Sequence, residues 1–403
     1  MLDPVIALDR MPRWMRTAAL SIARGQGPLG ALYDRVAHPV DAAGIPAIPE
    51  HSSAARRVLL GPANEAEQGY QWTRAFERFL PDVSAKAMTG IDPGNYRVKT
   101  DLFVPTSVYL RSTDWHDAFE EYLESLTHVI FESGLPLLGR RYGSDPFVEA
   151  DRLNSQGVRT AMIFHGSDIR SPTQHARESE WSPFVRAGLP VTLMEEKAER
   201  TRSRAMASGM PLFVSTPDLL RHAPGSVWCP IVVQPEEWKS QRAAWPSSRR
   251  PIVVHAPSNP LLKGSDEIEP ALRRMEAEGL IEYRVIRGIP YSEMPKRYAE
   301  ADIVLDHFLI GNYSMVTIEA LASGCLVIGH VDEHSRRAVL DATGLEVPVL
   351  EADVRSLEAV LRRAIRGGEE VDDLLARGAD FVEHVHNGRF SAVAVGGFIG
   401  VRA

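Results

Sequence analysis

The sequence predicts an α/β protein of two Rossmann-like domains whose parallel sheets face each other across a cleft. Apolar segments alternate with amphipathic helical segments in two series, separated by the polar, Pro-flanked stretch PEEWKSQRAAWPSSRRP. The apolar segments are continuous, as expected for strands that are buried on both faces of a parallel sheet. A chain of 403 residues also suits two domains of ordinary size.

The first series begins at RRVLLG, a short strand that runs into a Gly/Pro/Asn loop and a helix over EAEQGYQWTRAFERFL. Gly209 follows VTLMEEKAERTRSRAMAS, where a glycine is expected to end a helix. The remaining predicted elements of this series are a helix over FVEADRLNSQG and strands at THVIFESG, RTAMIFH, PLFVSTPDLL and VWCPIVVQP.

The second series begins at PIVVH and shows the same alternation. Its further strands are IEYRVIRGIP, DIVLDHFL and CLVIGHV, and its helices are DEIEPALRRMEAEG, SEMPKRYAEA, SMVTIEALASG and SLEAVLRRAIRG. The predicted organisation is an N-terminal extension and linker (1–50), a first domain (51–245), a second domain (246–385) and a C-terminal tail (386–403).

Composition narrows the functional classes. The net charge of −8 argues against nucleic acid as the main partner, because nucleic-acid binding needs a basic surface. Two cysteines in so long a chain favour a reducing, cytoplasmic setting. Residues 10–37 are basic and amphipathic, which leaves open peripheral contact at the inner membrane face or simple packing on the domain.

A loop after the first strand of the second domain is a candidate phosphate site. HAPSNPLLKG places Ser258, Lys263 and Gly264 between a strand and a helix, with His255 at the strand end. A lysine beside a glycine and a helix N-terminus suits an anion. The alternative is a solvent-exposed lysine at a helix start.

The next strand-end loop adds a second anion site and a carboxylate. In GNYSMVTIEALASG a helix begins near Ser314, so its first backbone N–H groups can face a phosphate. Glu319 lies one to two turns into this helix, where a carboxylate can accept hydrogen bonds from ribose hydroxyls. The alternative for Glu319 is a surface role. Together the two loops predict a binding site for a nucleoside diphosphate.

Residues 251–366 resemble the family 4 glycosyltransferases of the GT-B type, through HAPSNPLLKG, SEMPKRYAEADIVLD and GNYSMVTIEALASGCLVIG. The resemblance implies transfer of a sugar from a nucleotide-sugar donor to a glycan, cell-envelope or small-metabolite acceptor, with retention of anomeric configuration. It implies that Lys263 contacts the diphosphate and Glu319 the ribose. The other implied donor-binding residues are Ser258, Gly264, Arg287, Gly288, Ile289, Gly311, Asn312, Tyr313, Ser314, Met315 and Val316.

Two positions depart from the family pattern. The first of two paired glutamates is replaced by Gly311, and the arginine five residues before Lys263 is replaced by Ser258. The sugar's identity is therefore open, and Arg287 is a candidate to supply the missing positive charge. The absent acid also leaves a second hypothesis, a catalytically silent GT-B-like binding module or partner subunit.

The first domain supplies candidate residues on the acceptor side. His165 ends the strand RTAMIFH, and by the resemblance it lies near the sugar and stabilises the developing charge. Asp168 and Arg170 in the following loop are acceptor-contact candidates. Gly69 is predicted to allow close approach of substrate to the backbone. A structural histidine and an ordinary helix-start glycine are the alternatives.

Other motif-like patterns do not fit their mechanisms. GQGPLG at residues 25–30 follows a helical segment rather than a strand, so a nicotinamide site is not predicted. HVDEH at residues 330–334 begins at a strand end rather than inside a helix. No Asp-x-Asp pair follows a strand, and neither a metal nor another cofactor is expected. A nucleotide-sugar epimerase would need an acid–base carboxylate pair that the sequence does not identify.

Overall fold

Twelve strands form two sheets in the computed structural model, which describes residues 8–9, 11–23, 27–41, 44–90, 98–240, 245 and 249–401. The strands are β1 (Arg56–Gly61), β2 (Val83–Thr89), β3 (Leu102–Phe103), β4 (His128–Glu132), β5 (Arg159–Phe164), β6 (Leu212–Val214), β7 (Val227–Trp228), β8 (Ile252–His255), β9 (Glu282–Val285), β10 (Ile303–Leu305), β11 (Leu326–Gly329) and β12 (Leu350–Glu351). The orders are β3-β2-β1-β4-β5-β6-β7 and β12-β11-β10-β8-β9. Each strand pair in these ranges is parallel, which confirms the predicted fold class.

Helices cover both faces of the sheets. They are α1 (Arg13–Ala23), α2 (Gly27–Ala37), α3 (Gln68–Phe79), α4 (Thr106–Arg111), α5 (Thr113–Glu124), α6 (Pro146–Ser155), α7 (Pro172–Glu178), α8 (Val191–Ser208), α9 (Pro235–Trp238), α10 (Pro260–Lys263), α11 (Ser265–Ala277), α12 (Met294–Glu300), α13 (Met315–Ala322), α14 (Glu333–Thr343), α15 (Leu357–Ala364), α16 (Glu369–Phe381) and α17 (Arg389–Ile399). As predicted, α8 ends at Gly209, which has a left-handed backbone.

The strands of the first sheet are apolar on both sides. Leu59 packs in one core with Met88, whereas its neighbour Leu60 packs in another core with Ile130. Successive side chains of a strand point to opposite faces, so both faces are buried. This burial explains why the strand segments are continuously apolar in sequence.

Strand order places the loops that matter for function. In the second sheet the chain goes from β8 to β9 on one side and returns to β10 on the other. The loops after β8 and β10 therefore diverge from adjacent strands, and ligands bind at such a switch point. Register supports this, because His255 at the end of β8 is opposite Leu305 at the end of β10. In the first sheet β1 lies between β2 and β4 in the same way.

Two predicted strands are shorter than expected. PLFVSTPDLL is a strand only over Leu212–Val214, and a 3₁₀ turn begins at Pro217. After Trp228 the Cys229 amide still donates to the Val214 carbonyl of β6 at 2.9 Å, and the chain then leaves the sheet. The Val232 amide donates to Gln68 Oε1 at 2.7 Å and the Val233 amide to the His386 carbonyl at 3.0 Å, so partners from distant segments replace the further ladder hydrogen bonds that the apolar pattern had suggested.

The C-terminal segment completes the first domain instead of forming a separate tail. Helix α17 packs on α3, and Ala392, Val395 and Phe398 belong to the core on one face of the first sheet. The Phe398 ring lies edge-on to His128, with centroids 5.1 Å apart. Residues 389–399, predicted to be part of a tail, therefore pack on the first domain.

The N-terminal extension contains helices α1 and α2. Residues 10 and 24–26 of the segment predicted to contact a membrane lie outside the described part. Arg16 is buried and forms a 2.5 Å ion pair with Glu196, so it is engaged with the first domain. Leu29, Leu32 and Val36 of α2 are exposed. Among the described residues, no helix has the length and apolar character needed to cross a bilayer.

Candidate active site between the two domains

A cavity of about 590 Å³ lies between the domains at the ends of β1, β8 and β10. Its volume falls within the range of about 300–1,000 Å³ that small-molecule sites occupy. Residues 63–67, after β1, contribute one wall. The second domain contributes Ser258, Lys263, Arg287, Gly288, Ile289, Tyr291, His307, Ser314, Met315, Val316 and Glu319.

Lys263 is held by a buried ion pair. It ends the short helix α10, whose first turn is capped by the Asn259 side chain. Lys263 Nζ lies 2.5 Å from Asp306 Oδ1 and 3.5 Å from Ser314 Oγ. Gly264 follows with φ +79°, and a Cβ there would lie 2.9 Å from Leu309 Cγ. Lys263 is therefore buried rather than solvent-exposed, and Gly264 permits tight packing of the two loops.

Asp306 connects the loop after β10 to helix α13. Its carboxylate accepts hydrogen bonds from the Ser314 amide at 3.0 Å, from Ser314 Oγ and from Thr317 Oγ1 at 2.6 Å. Burial alone would raise the pKa of Asp306, but Lys263 and the Thr317 hydroxyl hold it well below its usual range. Asp306 was not predicted as a site residue, although an acid directly after a strand at a switch point was a usable signal.

Asp306 changes the expected role of the helix N-terminus. The Ser314 amide donates to Asp306, and the Val316 amide donates to Ser314 Oγ at 3.2 Å. Two of the three amides predicted to hold a phosphate are thus engaged within the protein. Because Ser314, Met315 and Val316 nevertheless line the cavity, their side of the site remains adjacent to Lys263.

Glu319 shares the same cavity with Lys263. It is 2% exposed, and burial raises its pKa to about 8. The Tyr291 hydroxyl donates to Glu319 Oε1 at 2.7 Å. Sequence reasoning missed Tyr291, whose partner lies 28 residues away. The carboxyl group is therefore positioned by a protein donor and stays largely uncharged near neutral pH.

The first-domain wall is a strained loop after β1. Asn64, Ala66 and Glu67 all have positive φ values, of 48°, 50° and 63°. Asn64 fixes the loop with two hydrogen bonds. Its backbone N–H donates to Glu132 Oε2 at 2.8 Å, and its side-chain Oδ1 accepts from the backbone N–H of Tyr70. Non-glycine residues hold such conformations only when the surroundings enforce them, and they cluster at functional sites.

His165 lies behind this wall. Within the described part of the chain, it is not among the residues that line the cavity. Its Nε2 is 3.3 Å from Glu132 Oε1, and its ring stacks on Trp72. Burial alone would lower the pKa of His165, but Glu132 and the nearby Glu65 raise it to about 9. Glu132 therefore joins His165 to the Asn64 loop.

Asp168 and Arg170 have structural contacts that the predicted acceptor role did not include. Asp168 accepts from the amides of His165 and Gly166 at 2.8 and 2.7 Å. Arg170 is buried and donates to Asp218 Oδ2 at 2.6 Å. Neither residue lines the cavity among the described residues, so the acceptor assignment is not supported by their positions.

The glycine-asparagine-tyrosine turn faces the domain interface. Asn312 Nδ2 donates to Asp218 Oδ1 at 3.0 Å, and Tyr313 Oη lies 3.3 Å from His386 Nε2. Gly311 has φ +75°, and a Cβ there would lie 3.1 Å from Asp332 Oδ2. Unlike Ser314, these three predicted donor residues do not line the cavity in the described structure.

Gly69 provides space for the protein rather than for a ligand. A Cβ at this position would lie 3.1 Å from Asn64 Oδ1 and 3.3 Å from Glu132 Oε2. The backbone at Gly69 therefore approaches the side chains that fix the loop after β1. The predicted need for a small residue is explained by this packing.

Neither a family profile nor a curated protein sequence matches the chain. Among solved structures, sucrose-phosphate synthase from Thermosynechococcus elongatus is similar with a TM-score of 0.56 and 13% identity, over 85% of this chain and 98% of that chain. An α-glucosyltransferase in complex with UDP-glucose and DNA containing an abasic site gives a TM-score of 0.52 and 9% identity, over 85% and 99%. The chain has the fold of the GT-B glycosyltransferases.

Within this GT-B fold, the motif-like patterns at residues 330–334 and 25–30 belong to ordinary helices and their connections. Residues 330–334 run from the end of β11 into the first turn of α14, where the Asp332 side chain caps the helix by accepting from the Ser335 amide. Of residues 25–30, the structure describes those from Gly27 onward, and these belong to α2. Among the described residues, no group of three or more His, Cys, Asp or Glu side chains is arranged to hold a metal ion.

Proposed function

We propose that this protein is a retaining, metal-independent glycosyltransferase that moves a sugar from a nucleotide-sugar donor to a glycan, cell-envelope or small-metabolite acceptor. The observation that carries the proposal is one interdomain cavity shared by Arg287–Ile289, Glu319 and Lys263. In this arrangement the base lies by residues 287–289, the ribose hydroxyls bind Glu319, and the diphosphate reaches Lys263.

Positive charge in the cavity suits departure of a diphosphate. Lys263 Nζ has three N–H donors; Asp306 accepts from one and Ser314 Oγ accepts a longer bond of 3.5 Å from a second, which leaves one for phosphate oxygens. Asp306 offsets part of the lysine's charge, so a second cation is needed. Arg287 lines the same cavity and supplies it.

The anomeric configuration is retained if the leaving diphosphate itself accepts the proton of the acceptor hydroxyl. The bond from the anomeric carbon to the phosphate oxygen breaks, and the acceptor oxygen bonds to the same face of that carbon. The acceptor's proton passes to the departing phosphate oxygen, so the reaction balances without a protein base. Lys263 and Arg287 stabilise the negative charge that develops on the diphosphate.

His165 acts through the loop rather than on the sugar. Paired with Glu132 and with a pKa of about 9, it is an imidazolium at neutral pH, which is unsuited to stabilising a positive sugar directly. Glu132 also accepts from the Asn64 amide at 2.8 Å. We therefore assign His165 the positioning of the first-domain wall.

The silent binding module is the second candidate, and the glycine at position 311 is the observation that favours it.

A nucleoside-diphosphate panel of UDP, GDP, ADP, CDP and dTDP, monitored by thermal shift, tests the site first, since selective binding to the folded state raises its apparent stability. Nucleotide-sugars of the selected base then test turnover, with and without EDTA. The anomeric configuration of the product, determined by NMR, tests retention.

Three outcomes separate the hypotheses. Transfer that continues in EDTA and yields a product of unchanged anomeric configuration supports the whole proposal. Diphosphate binding without hydrolysis or transfer for any sugar supports the silent module. Absence of a stability shift with all five diphosphates contradicts both.

Peripheral membrane contact at the cytoplasmic face is a further part of this proposal. Leu29, Leu32 and Val36 of α2 are 66%, 60% and 75% exposed at helical spacing, an arrangement that suits insertion at a lipid interface. Flotation with anionic liposomes should recover the full chain but not a variant in which these three residues are serine. Equal recovery of both would remove the membrane contact.

A further inference from the structure

His307 is a cavity residue that the function proposed above does not use. It follows Asp306 directly, lines the cavity with Lys263, and belongs to the loop after β10. Its Nδ1 is buried and has no hydrogen-bonding partner among the described residues. A buried polar nitrogen without a partner costs free energy, so its retention beside a ligand cavity points to a ligand atom.

The His307 backbone is firmly placed. Its carbonyl oxygen accepts a hydrogen bond from the His330 amide at 2.7 Å. A Cβ on Gly329 would lie 3.0 Å from the same oxygen, so β11 approaches this carbonyl closely. The backbone that carries the imidazole is therefore held by the sheet rather than by a free loop.

His307 and Glu319 interact electrostatically with different charged groups of the first domain. The charged neighbours of His307 include Lys263 and the first-domain pair Arg170 and Asp218. The charged first-domain neighbour of Glu319 is instead Glu67. If the ribose binds Glu319 and the diphosphate binds Lys263, the group next to His307 is the one beyond the diphosphate, which is the transferred sugar.

The imidazole is neutral in this environment. Burial, together with the positive charges of Lys263 and Arg170, lowers the pKa of His307 to about 4 although Asp306 opposes the shift. A neutral imidazole has one donor and one acceptor nitrogen. A sugar hydroxyl can donate to the acceptor nitrogen or accept from the donor nitrogen, whereas a phosphate would favour a cationic partner.

Two other positions of this loop are occupied by contacts within the protein and do not contact a sugar. At position 311 a side chain would meet Asp332, and Asn312 is bound to Asp218 at the interface. We infer that His307 binds a hydroxyl of the transferred sugar and so contributes to donor-sugar selection in the absence of an acid at position 311. This inference rests on the proposed glycosyltransferase function.

Calorimetry with two ligands separates sugar contact from nucleotide contact. The nucleoside diphosphate that stabilises the wild type is titrated first, followed by nucleotide-sugars with the same base. Because a single neutral hydrogen bond is involved, His307→Ala should lower the affinity for the preferred nucleotide-sugar by about 3- to 10-fold relative to the diphosphate. His307→Asn, which can replace Nδ1, should recover most of this difference.

The control is His384→Ala, which removes an exposed imidazole. It should change neither affinity. Equal loss of diphosphate and nucleotide-sugar binding in His307→Ala, or no loss of either, overturns the inference while the proposed function stands. If His307→Ala fails to fold, His307→Asn and His307→Gln provide the same comparison. Failure of the wild type to bind any of the diphosphates would contradict the proposed function itself.

Discussion

Replacing Lys263 by methionine tests the ion pair at the centre of the site. The Lys263 and Asp306 side chains are 4% and 2% exposed, and 2.5 Å separates Nζ from Oδ1. Methionine keeps an unbranched apolar side chain close to the length of the lysine stem but leaves a buried carboxylate without its cation. Breaking such a pair typically costs about 3–5 kcal/mol. Since Asp306 keeps donors from Ser314 and Thr317, we expect a loss of about 3 kcal/mol in the free energy of unfolding.

The double variant Lys263→Met/Asp306→Asn distinguishes stability from binding. It removes both charges, so most of the lost stability should return. Its affinity for the nucleoside diphosphate should stay low, because a charged hydrogen bond worth about 1.5–3 kcal/mol is absent. That range corresponds to a weakening of about 10- to 150-fold.

Urea denaturation and calorimetry measure the two effects, with Lys197→Met on the exposed surface of α8 as the matched control. If Lys263→Met unfolds at the same urea concentration as this control, the pair is not desolvated as the structure indicates. If the double variant binds the diphosphate as tightly as the wild type, Lys263 does not contact it. The first result would refute the buried ion pair, and the second would refute the contact between Lys263 and the diphosphate.

Three further variants test other parts of the site. In the folded protein Glu319 has a pKa of about 8, whereas in the unfolded chain its pKa has the ordinary value of 4.5. The folded state therefore binds the proton more tightly, and the free energy of unfolding of the wild type should fall between pH 5 and 8. In urea titrations at both pH values, Glu319→Gln should show a smaller fall. Asn312→Ala should lower the Tm, because Asp218 loses a buried donor, yet calorimetry should show diphosphate affinity unchanged. Gly69→Ala should reduce both Tm and transfer rate, because its Cβ would displace Asn64; unchanged values of both would show that the loop tolerates the shift.

The parallel sheets were predictable from sequence because their signal is local. Continuous apolar segments separated by amphipathic helices identify buried parallel strands, and the carboxyl ends of such strands identify the site. Lys263 and Glu319 follow from this logic, and the structure brings both to one cavity. The Ser314 cap was predictable for the same reason, since its side chain accepts from the amide two residues later.

The partners of these residues were not predictable because they depend on distant packing. Asp306 meets Lys263 across 43 residues, and Gln68 meets Val232 across 164. The final helix supplies core residues to the first domain, although its sequence position suggested a tail. Hydrophobic periodicity identifies an element but carries no information about which distant element covers it.

The glycine at position 311 is best understood together with its neighbours. Its carbonyl accepts from the Asp332 amide at 2.9 Å, and Asp332 also forms an ion pair with Arg221 of the first domain. Directly before it, the Ile310 carbonyl lies 3.0 Å from His175 Nε2. The turn therefore joins the two domains, and an acid at position 311 would be placed beside the Asp332 carboxylate, where like charges repel. Polar contacts of this loop at Gly311 and Asn312 thus lie at the domain interface, while His307 and Ser314 of the same loop line the cavity with Lys263.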